Sequence, residues 1–356
     1  MIRNIKFENF RGFKELSLSE LCPITLISGK NNAGKSSVLE GVFLMFDHVA
    51  PESFAKINQF RGLNVSADPL SLWEPAFHHF DTKKGMQISV DLNGEVSKLS
   101  YIRDDSFIPP DDLNAPQDVL NQFISSAKTS YSLRFEFTRG TYKEDGNFVI
   151  SASGLYRNMT TTHSHNRIEP MPFTQFINST TRGNDAMVAE WFGKLELQGK
   201  KQQVIDILKN MDPMICDISA IVVNGQIQLY AKFGDRLLPL RVTGDGLNKL
   251  LFIVLAIIEN PDSLILIDEI ETGFHYSMYS KLWEIIAKAA RENRCQVIVS
   301  THSYECIVGA IEGIESADMK DDFCYYRLER NENGSRSYRY SGELLRTAIS
   351  VDMEVR

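Results

Sequence analysis

The stretch from Ile24 to Glu40, with the sequence ITLISGKNNAGKSSVLE, decides the fold. It begins with a short apolar run, Ile24 to Ser28, whose β-forming residues predict a buried strand. The segment from Gly29 to Ser36 then fits the pattern G-x-x-x-x-G-K-[ST]. Apolar residues recur at helical spacing after it, namely Val38, Leu39, Val42, Met45 and Phe46. Strand, glycine loop and helix therefore follow one another as a phosphate-binding loop requires, and a chance glycine turn before a helix is the alternative.

Each residue type in this loop has a chemical reason to be there. Gly29 and Gly34 let the backbone curl so that successive N–H groups point inward, and the start of the helix adds its positive dipole end. The Lys35 ammonium group would reach the β- and γ-phosphates of a nucleotide, and the Ser36 hydroxyl would ligate Mg²⁺. The sequence thus predicts a nucleotide site that consists of Gly29, Asn31, Asn32, Ala33, Gly34, Lys35, Ser36 and Ser37.

A second candidate site lies far downstream, where the apolar strand Leu264 to Ile267 is followed by Asp268 and Glu269. Parallel sheets place ligand chemistry at the carboxyl ends of their strands, and both carboxylates stand at such an end. We expect Asp268 to hold the Mg²⁺ shell and Glu269 to orient or deprotonate the attacking water. The alternative is an ordinary pair of helix N-cap residues, which the phosphate-binding loop in the same chain disfavours.

A histidine is expected beside these carboxylates. The strand Gln296 to Ser300 leads into Thr301-His302-Ser303, and His302 stands 34 residues after Asp268. An amphipathic helix fills the interval, so strand, helix and strand form one βαβ unit, which is right-handed by default. His302 should therefore emerge next to Asp268 at the same sheet edge, where its imidazole can hydrogen-bond the γ-phosphate. A purely structural histidine is the alternative.

These motifs together resemble those of the ATP-binding-cassette ATPases, and more closely the branch that contains SMC proteins, RecF and the OLD-type ATPases of bacteria. The segment Asn9 to Phe13 resembles the opening strand motif of that branch, in which an arginine at the position of Arg11 lies near the nucleotide. The segment Ile267 to His275 is similar to its Walker B and D-loop segment, and Ser300 to Ser303 to its switch-histidine loop. The resemblance implies that the ligand is ATP with Mg²⁺.

The signature loop of the family, LSGGQ in its usual form, should precede the Walker B strand. The segment Thr243-Gly244-Asp245-Gly246 stands there, with its last glycine 22 residues ahead of the Walker B aspartate. The resemblance implies that Gly244, Asp245 and Gly246 contact the γ-phosphate bound to a second subunit, so that two ATP molecules are enclosed in a head-to-tail homodimer. The loop lacks the usual serine-glycine-glycine run, and a plain glycine turn is the alternative.

The chain between these motifs is expected to form a globular insertion. SMC-like relatives fill this gap with a coiled coil, but here no long heptad run survives and prolines interrupt any long helix. The alternating stretch Met86 to Ile102, with Asn93-Gly94 at its centre, predicts a hairpin. The remaining elements are predicted as strands at 131–138 and 148–153, an irregular segment at 156–184, helix at 185–212, and hairpins near Gly225 and over 323–340.

The predicted fold class is α/β, a P-loop NTPase of the ATP-binding-cassette type with a mixed central sheet, an antiparallel β subdomain and a globular helical insertion. The resemblance covers residues 1–50 and 215–356. Gln59 is a candidate for the loop that links the γ-phosphate to the helical lobe, and thus for a further Mg²⁺ ligand, although glutamine is common on surfaces. We expect the parts to occupy three consecutive segments: 1–155 with the phosphate loop and antiparallel sheet, 156–240 with the inserted lobe, and 241–356 with the signature, Walker B, switch histidine and a C-terminal hairpin.

The composition sets limits on the class of protein. Hydrophobic residues make up 43% of the chain, and the longest uninterrupted apolar run, Leu250 to Ile258, falls well short of the roughly 20 residues that span a bilayer. The charged, alternating start of the chain excludes a signal peptide, and five cysteines without a CxxC pair indicate free thiols in a reducing cytoplasm. The net charge of −8 argues against a protein that coats nucleic acid by charge alone, but it leaves a local basic groove open.

The expected function is that of a cytoplasmic, stand-alone ATPase that forms a homodimer around ATP, with further assembly left open. The residues after His302 are too few for the Toprim nuclease domain of OLD-type nucleases, which needs about 100. By analogy with stand-alone relatives, the chain would be the sensor or motor of a bacterial anti-phage defence system with a separately encoded nuclease or toxin effector. The alternative is a RecF- or SMC-like DNA-repair ATPase that clamps DNA on ATP binding. A transporter's energising subunit is a third class, which the long gap between Lys35 and Gly246 disfavours.

Overall fold

The computed structural model describes residues 1–63, 69–106, 132–151, 154–163, 170–178, 185–332, 334–351 and 353–355 of the chain. These residues fall into two compact units, each assembled from segments that are far apart in the sequence. The first unit consists of Met1–Leu21, Asn32–Met171 and Glu329–Ser337, and the second unit of Cys22–Asn31, Pro172–Leu328 and Tyr338–Arg356. This division differs from the three consecutive segments expected from the sequence, because strands that are remote in the chain pair with one another.

The described chain contains both strands and helices, often several of one kind in succession. In chain order the strands are β1 (Ile2–Phe10), β2 (Phe13–Ser19), β3 (Ile24–Gly29), β4 (Met86–Leu92), β5 (Glu95–Asp104), β6 (Ser132–Arg139), β7 (Tyr142–Ser151), β8 (Gly154–His163), β9 (Thr174–Ile177), β10 (Ile215–Val223), β11 (Gln226–Phe233), β12 (Arg236–Pro239), β13 (Leu264–Ile267), β14 (Gln296–Ser300), β15 (Phe323–Asn331) and β16 (Gly334–Ser341). The α-helices are α1 (Lys35–Phe46), α2 (Ser53–Gln59), α3 (Pro69–Leu72), α4 (Asp185–Leu197), α5 (Lys201–Lys209), α6 (Asp245–Glu259), α7 (Tyr279–Glu292), α8 (Tyr304–Ser316) and α9 (Gly342–Ser350).

The first unit is built on an antiparallel sheet with the strand order β2-β1-β4-β5-β6-β7-β8. The predicted hairpin around Asn93-Gly94 is confirmed as β4 and β5, in which Leu92 pairs with Glu95. Alternate residues of β4 are buried, as expected for a sheet with one covered face. Helix α1 packs against β4, so the antiparallel sheet supports the helix that follows the phosphate-binding loop.

The second unit is built on a sheet with the strand order β16-β15-β3-β14-β13-β9. From β15 to β9 all neighbours are parallel, and β3, β13 and β14 are fully buried, which explains why their sequences are mostly apolar. The predicted βαβ unit is confirmed, because β13, α7 and β14 follow one another and Ile267 pairs with Val299. The carboxyl ends of β3, β14 and β13 therefore lie side by side in one sheet.

Helix α6 forms the apolar centre of the second unit. Every residue from Leu250 to Ile258 is buried. A helix that is apolar all round is one that is packed on all sides. Trp191 of α4 stacks on Phe252 with a centroid distance of 5.7 Å, and the antiparallel sheet β10-β11-β12 packs against α4. The predicted α/β fold, with a globular helical insertion, is confirmed.

The segment 156–184 was expected to be irregular, and this prediction is wrong for its described residues. Most of β8 lies there, paired with β7, and β9 lies there too, paired with β13 through Thr174–Leu264 to Ile177–Ile267. Strand β8 forms a local hairpin with β7, whereas β9 depends on a partner that is about 90 residues away in the sequence. A four-residue strand at a sheet edge has too few residues to display alternation, so the local sequence could not reveal it. In the described part of the chain, no helix combines the length and the hydropathy that crossing a membrane requires.

Candidate nucleotide-binding site

The loop between β3 and α1 has the shape that its glycines predict. The backbone takes positive φ angles at Gly29 (148°), Asn32 (64°) and Gly34 (100°), a region in which glycine is favoured and asparagine is tolerated. A side chain at Gly34 would also collide with the ring of Phe13. Glycine is therefore required at position 34 for two reasons, namely the positive φ of its backbone and the close approach of the Phe13 ring.

Helix α1 begins directly at the predicted phosphate contacts. Gly34 is its N-cap residue, and the Val38 N–H group donates to the Gly34 carbonyl at 3.0 Å, which closes the first turn. Lys35 and Ser36 occupy the first two helical positions and are half-buried. Lys35 thus belongs to the first turn of the helix, whose N-terminal end carries the positive end of the dipole and attracts anions.

Behind α1 lies a buried cluster of charged groups around Glu40, whose side chain is 1% exposed. The guanidinium of Arg11 donates through Nε to Glu40 at 3.0 Å, and it also donates to the Pro75 carbonyl and to Asn58 Oδ1. Arg61 binds the same carboxylate from the other side, at 2.5 Å. In this structure Arg11 is thus engaged with α1, and its predicted contact with the nucleotide stays a prediction. Sequence reasoning missed Glu40, because its partners Arg11 and Arg61 lie more than 20 residues away in the chain.

The two acidic residues after β13 are held by the neighbouring strand β14, Asp268 through its carboxylate and Glu269 through its backbone N–H group. The buried Ser300 hydroxyl donates to Asp268 Oδ1 and accepts the Glu269 N–H group at 2.9 Å. Glu269 has a φ of 49°, an uncommon conformation for a residue with a side chain. Such a backbone persists only where the surroundings fix it, and it is often found at functional sites. Asp268 and Glu269 are half-buried, so both remain accessible to a ligand.

His302 lies at the same edge of the sheet, as the sequence predicted, and it has a partner that the sequence did not reveal. The carboxylate of Glu271 accepts the His302 N–H group at 2.8 Å and lies 2.7 Å from the imidazole Nδ1. Its other oxygen accepts the Thr301 hydroxyl at 2.8 Å. Glu271 is buried while the His302 side chain is 52% exposed. The carboxylate thus fixes the ring through Nδ1, and Nε2 is the nitrogen that remains for a substrate.

The candidate signature segment forms the start of α6. Gly244 is the N-cap residue, Asp245 lies in the first turn, and both are exposed. Gly246 is buried, and a Cβ atom there would lie 2.5 Å from the carbonyl oxygen of Gly273. The need for glycine at 246 thus has a packing reason within the chain. Contact of this segment with a second subunit's phosphate stays a prediction, as does the role of Gln59, which is the exposed last residue of α2.

Two family profiles match the chain. The profile described as "AAA domain, putative AbiEii toxin, Type IV TA system" matches residues 121–307, and the profile described as "AAA ATPase domain" matches residues 1–132. A protein of Helicobacter pylori named ATP/GTP phosphatase is 26% identical over 369 residues, which cover 97% of each chain. An uncharacterized protein of Methanocaldococcus jannaschii is 49% identical over 55 residues, or 15% of this chain and 24% of that one.

The fold is similar to that of SMC head domains. The SMC head bound to the C-winged helix domain of ScpA aligns with a TM-score of 0.52 at 12% identity and covers 96% of this chain and 98% of its own. The SMC head with an extended coiled coil, bound to the C-terminal domain of ScpA from Pyrococcus furiosus, aligns with a TM-score of 0.51 at 10% identity and covers 98% of both chains. These likenesses confirm the predicted P-loop fold of the ATP-binding-cassette type.

Proposed function

The chain belongs to the AAA-domain family whose profile spans residues 121–307, and from that premise we propose that it is a Mg²⁺-dependent ATPase that acts as the sensor or motor of a bacterial defence system. ATP hydrolysis is supported by the match to AAA ATPase domains and by the full-length relative named ATP/GTP phosphatase. That name also makes GTP a second nucleotide to test.

The proposal is carried by the arrangement at the carboxyl edge of the second unit's sheet. Strand β3, which leads into the phosphate-binding loop, pairs with β14, and β14 pairs with β13. The ends of β13 and β14 bring Asp268, Glu269 and His302 to one edge, where Ser300 and Glu271 hold them. A carboxylate pair and a histidine beside the strand that feeds a phosphate loop are the groups that phosphoryl transfer to water needs.

In the proposed reaction each of these groups has one task. The loop amides and the Lys35 ammonium group hold the triphosphate, while Ser36 and Asp268 supply the oxygen ligands that Mg²⁺ prefers. Bound Mg²⁺ would neutralise charge on the β- and γ-phosphates. Glu269 accepts a proton from water as the water oxygen attacks the γ-phosphorus, and the bond to the ADP oxygen breaks. In the imidazolium form, in which both ring nitrogens carry a proton, His302 donates from Nδ1 to Glu271 and from Nε2 to a γ-phosphate oxygen.

The first experiment measures phosphate release from ATP and from GTP by the purified chain. We expect release that depends on Mg²⁺, that falls to background when EDTA is added, and that returns when Mg²⁺ is restored in excess. Phosphate release that is insensitive to EDTA would contradict the Mg²⁺-dependent site. Nuclease activity of the purified chain would contradict a separately encoded effector, provided that it survives Lys35→Ala.

The substitution Glu271→Gln tests whether Glu271 supports catalysis by holding the His302 ring. The amide oxygen can still accept the His302 N–H group, but the charge-assisted bond to the ring is lost, so we expect kcat to fall by about tenfold, equivalent to ~1.4 kcal/mol. The KM for ATP should stay within about twofold, because His302 acts on the transition state more than on binding. Combined with His302→Ala, the substitution should cause little further loss, since both act through the same ring. If the two substitutions lower kcat independently and their effects add, Glu271 does not act through His302.

We propose further that ATP assembles two chains head to tail, with the start of α6 in one chain facing the γ-phosphate in the other. Gly244 and Asp245 are exposed at this helix start, and large apolar side chains are exposed next to it. Val242, just before the loop, is 69% exposed, and Tyr276, in the segment after Walker B, is 65% exposed. A second copy of the chain would cover such side chains and leave them exposed when it dissociates.

The defence role rests on the family description, which names a toxin and a type IV TA system. In this proposal, ATP binding and hydrolysis switch the chain between two states that a separately encoded nuclease or toxin reads. A DNA-clamping ATPase remains the alternative, and it predicts DNA affinity that falls steeply with salt.

A further inference from the structure

Helix α6 carries a lysine, Lys249, in a place where lysines are rare. Its side chain is buried, with an exposed fraction of 4%. The Nζ atom donates to the carbonyl oxygen of Glu269 at 2.8 Å, and it lies 3.4 Å from the carbonyl oxygens of both Ile270 and Thr272. Burial lowers the pKa of the Lys249 ammonium group to about 8, against the opposing effect of nearby carboxylates led by Glu271. A buried cation is costly, so its three carbonyl partners are what keep it in place.

The most important of these partners is Glu269, the proposed general base. Its backbone is in the left-handed region, and both of its backbone polar groups are engaged by other elements. Ser300 of β14 accepts its N–H group at 2.9 Å, and Lys249 of α6 binds its carbonyl at 2.8 Å. Because the peptide groups on both sides of the residue are fixed, the direction in which the carboxylate leaves the chain is fixed as well.

Helix α6 also contacts the loop 268–275, which contains Glu269, at a second point. Gly246 stands three positions before Lys249, so both lie on one face of the helix. A Cβ atom at Gly246 would lie 2.5 Å from the carbonyl oxygen of Gly273, which shows how closely the helix start approaches the loop 268–275. The helix start and the loop therefore have little room to move independently of one another.

We infer that Lys249 is a positioning residue that ties the start of α6 to Glu269, so that the general base reaches its working position only when this helix is in place. The inference rests on the proposed function, and it adds a regulatory coupling to it. A ligand that shifts the start of α6, such as a phosphate group, would shift the backbone that orients the base. The rate of hydrolysis then depends on the position of the signature segment, Thr243 to Gly246. The Lys249 ammonium group transmits that position to the loop through its three carbonyl partners.

The test uses Lys249→Met, which keeps most of the length of the side chain but cannot donate, and Lys249→Arg, which keeps the charge. Lys288→Met is the matched control, because Lys288 is a half-exposed lysine of α7 that pairs with Glu284. A misplacement of about 1 Å can cost roughly a hundredfold in rate. We therefore expect Lys249→Met to lower kcat by 10- to 100-fold, that is by about one to two orders of magnitude, with KM and nucleotide affinity unchanged within about twofold. Lys249→Arg should recover a substantial part of kcat, and Lys288→Met should retain all of it.

Unchanged kcat in a folded Lys249→Met protein would overturn the inference, as would a loss that appears equally in nucleotide affinity. If Lys249→Met does not fold, the decision falls to Gly246→Ala, which disturbs the other close contact between α6 and the loop 268–275 and must lower kcat without raising KM. Normal kcat in that variant overturns the inference while Glu269→Gln remains inactive, which leaves the proposed function standing. Failure of the proposed function is different, because the wild-type chain would then release no phosphate from either nucleotide.

Discussion

Replacing Lys35 by alanine is expected to abolish ATP binding and, with it, phosphate release. The substitution removes the ammonium group at the start of α1 that is proposed to hold the β- and γ-phosphates, while Gly34 and the helix dipole remain. A ligand present at 100 times its Kd stabilises a protein by about 2.7 kcal/mol. We therefore expect Mg-ATP to raise the melting temperature of the wild-type chain by several degrees and to leave that of Lys35→Ala unchanged.

Lys83→Ala is the control, because Lys83 is an exposed lysine of the first unit outside the phosphate-binding loop. It should keep both the thermal shift and the hydrolysis rate. A Lys35→Ala protein that melts at the wild-type temperature without nucleotide, and still gains stability from Mg-ATP, would remove the loop from the binding site. The comparison without nucleotide is needed because the half-buried aliphatic part of Lys35 also contributes to packing.

The phosphate-binding loop was predictable because its pattern is local. Strand, glycine spacing and helix all lie within 24–46, and the positive φ angles at Gly29 and Gly34 follow from the glycines themselves. The position of His302 was predictable from one right-handed βαβ connection, which needs only the order of the elements. The local pattern and a general topological rule were therefore sufficient to predict the positions of the residues that are proposed to contact the phosphates.

The groups that hold the site in place were not predictable in the same way. Ser300, Glu271 and Lys249 act through partners that are 20 or more residues away, and their identity depends on how strands and helices pack. Two of them nevertheless leave a weak signal. Lys249 stands directly before the apolar run Leu250 to Ile258, and Glu271 is a further glutamate two positions after Glu269. A charged residue next to a strongly apolar run therefore indicates that its side chain has a buried polar partner.

Glu269→Gln is expected to separate binding from hydrolysis. The amide has nearly the size and shape of the carboxylate and leaves the backbone contacts with Ser300 and Lys249 in place, but it cannot take a proton from water. General base catalysis contributes typically 10²- to 10⁴-fold, so we expect kcat to fall by about that factor with little change in ATP affinity. The measurement is steady-state phosphate release together with the thermal shift by Mg-ATP, and Glu312→Gln, at an exposed glutamate of α8, is the matched control.

The same variant also tests the assembly, because a chain that binds ATP without hydrolysing it should accumulate in the ATP-bound state. If the start of α6 in one copy closes on the γ-phosphate in another, light scattering with excess Mg-ATP should give twice the mass of the chain for Glu269→Gln. Adding Lys35→Ala should return the mass to that of a monomer, since no nucleotide is then held. A Glu269→Gln protein that is saturated with ATP but remains monomeric would refute the shared site. The half-buried pair Asp268 and Glu269 and the exposed His302 would then have to complete hydrolysis within one chain, without groups from a partner.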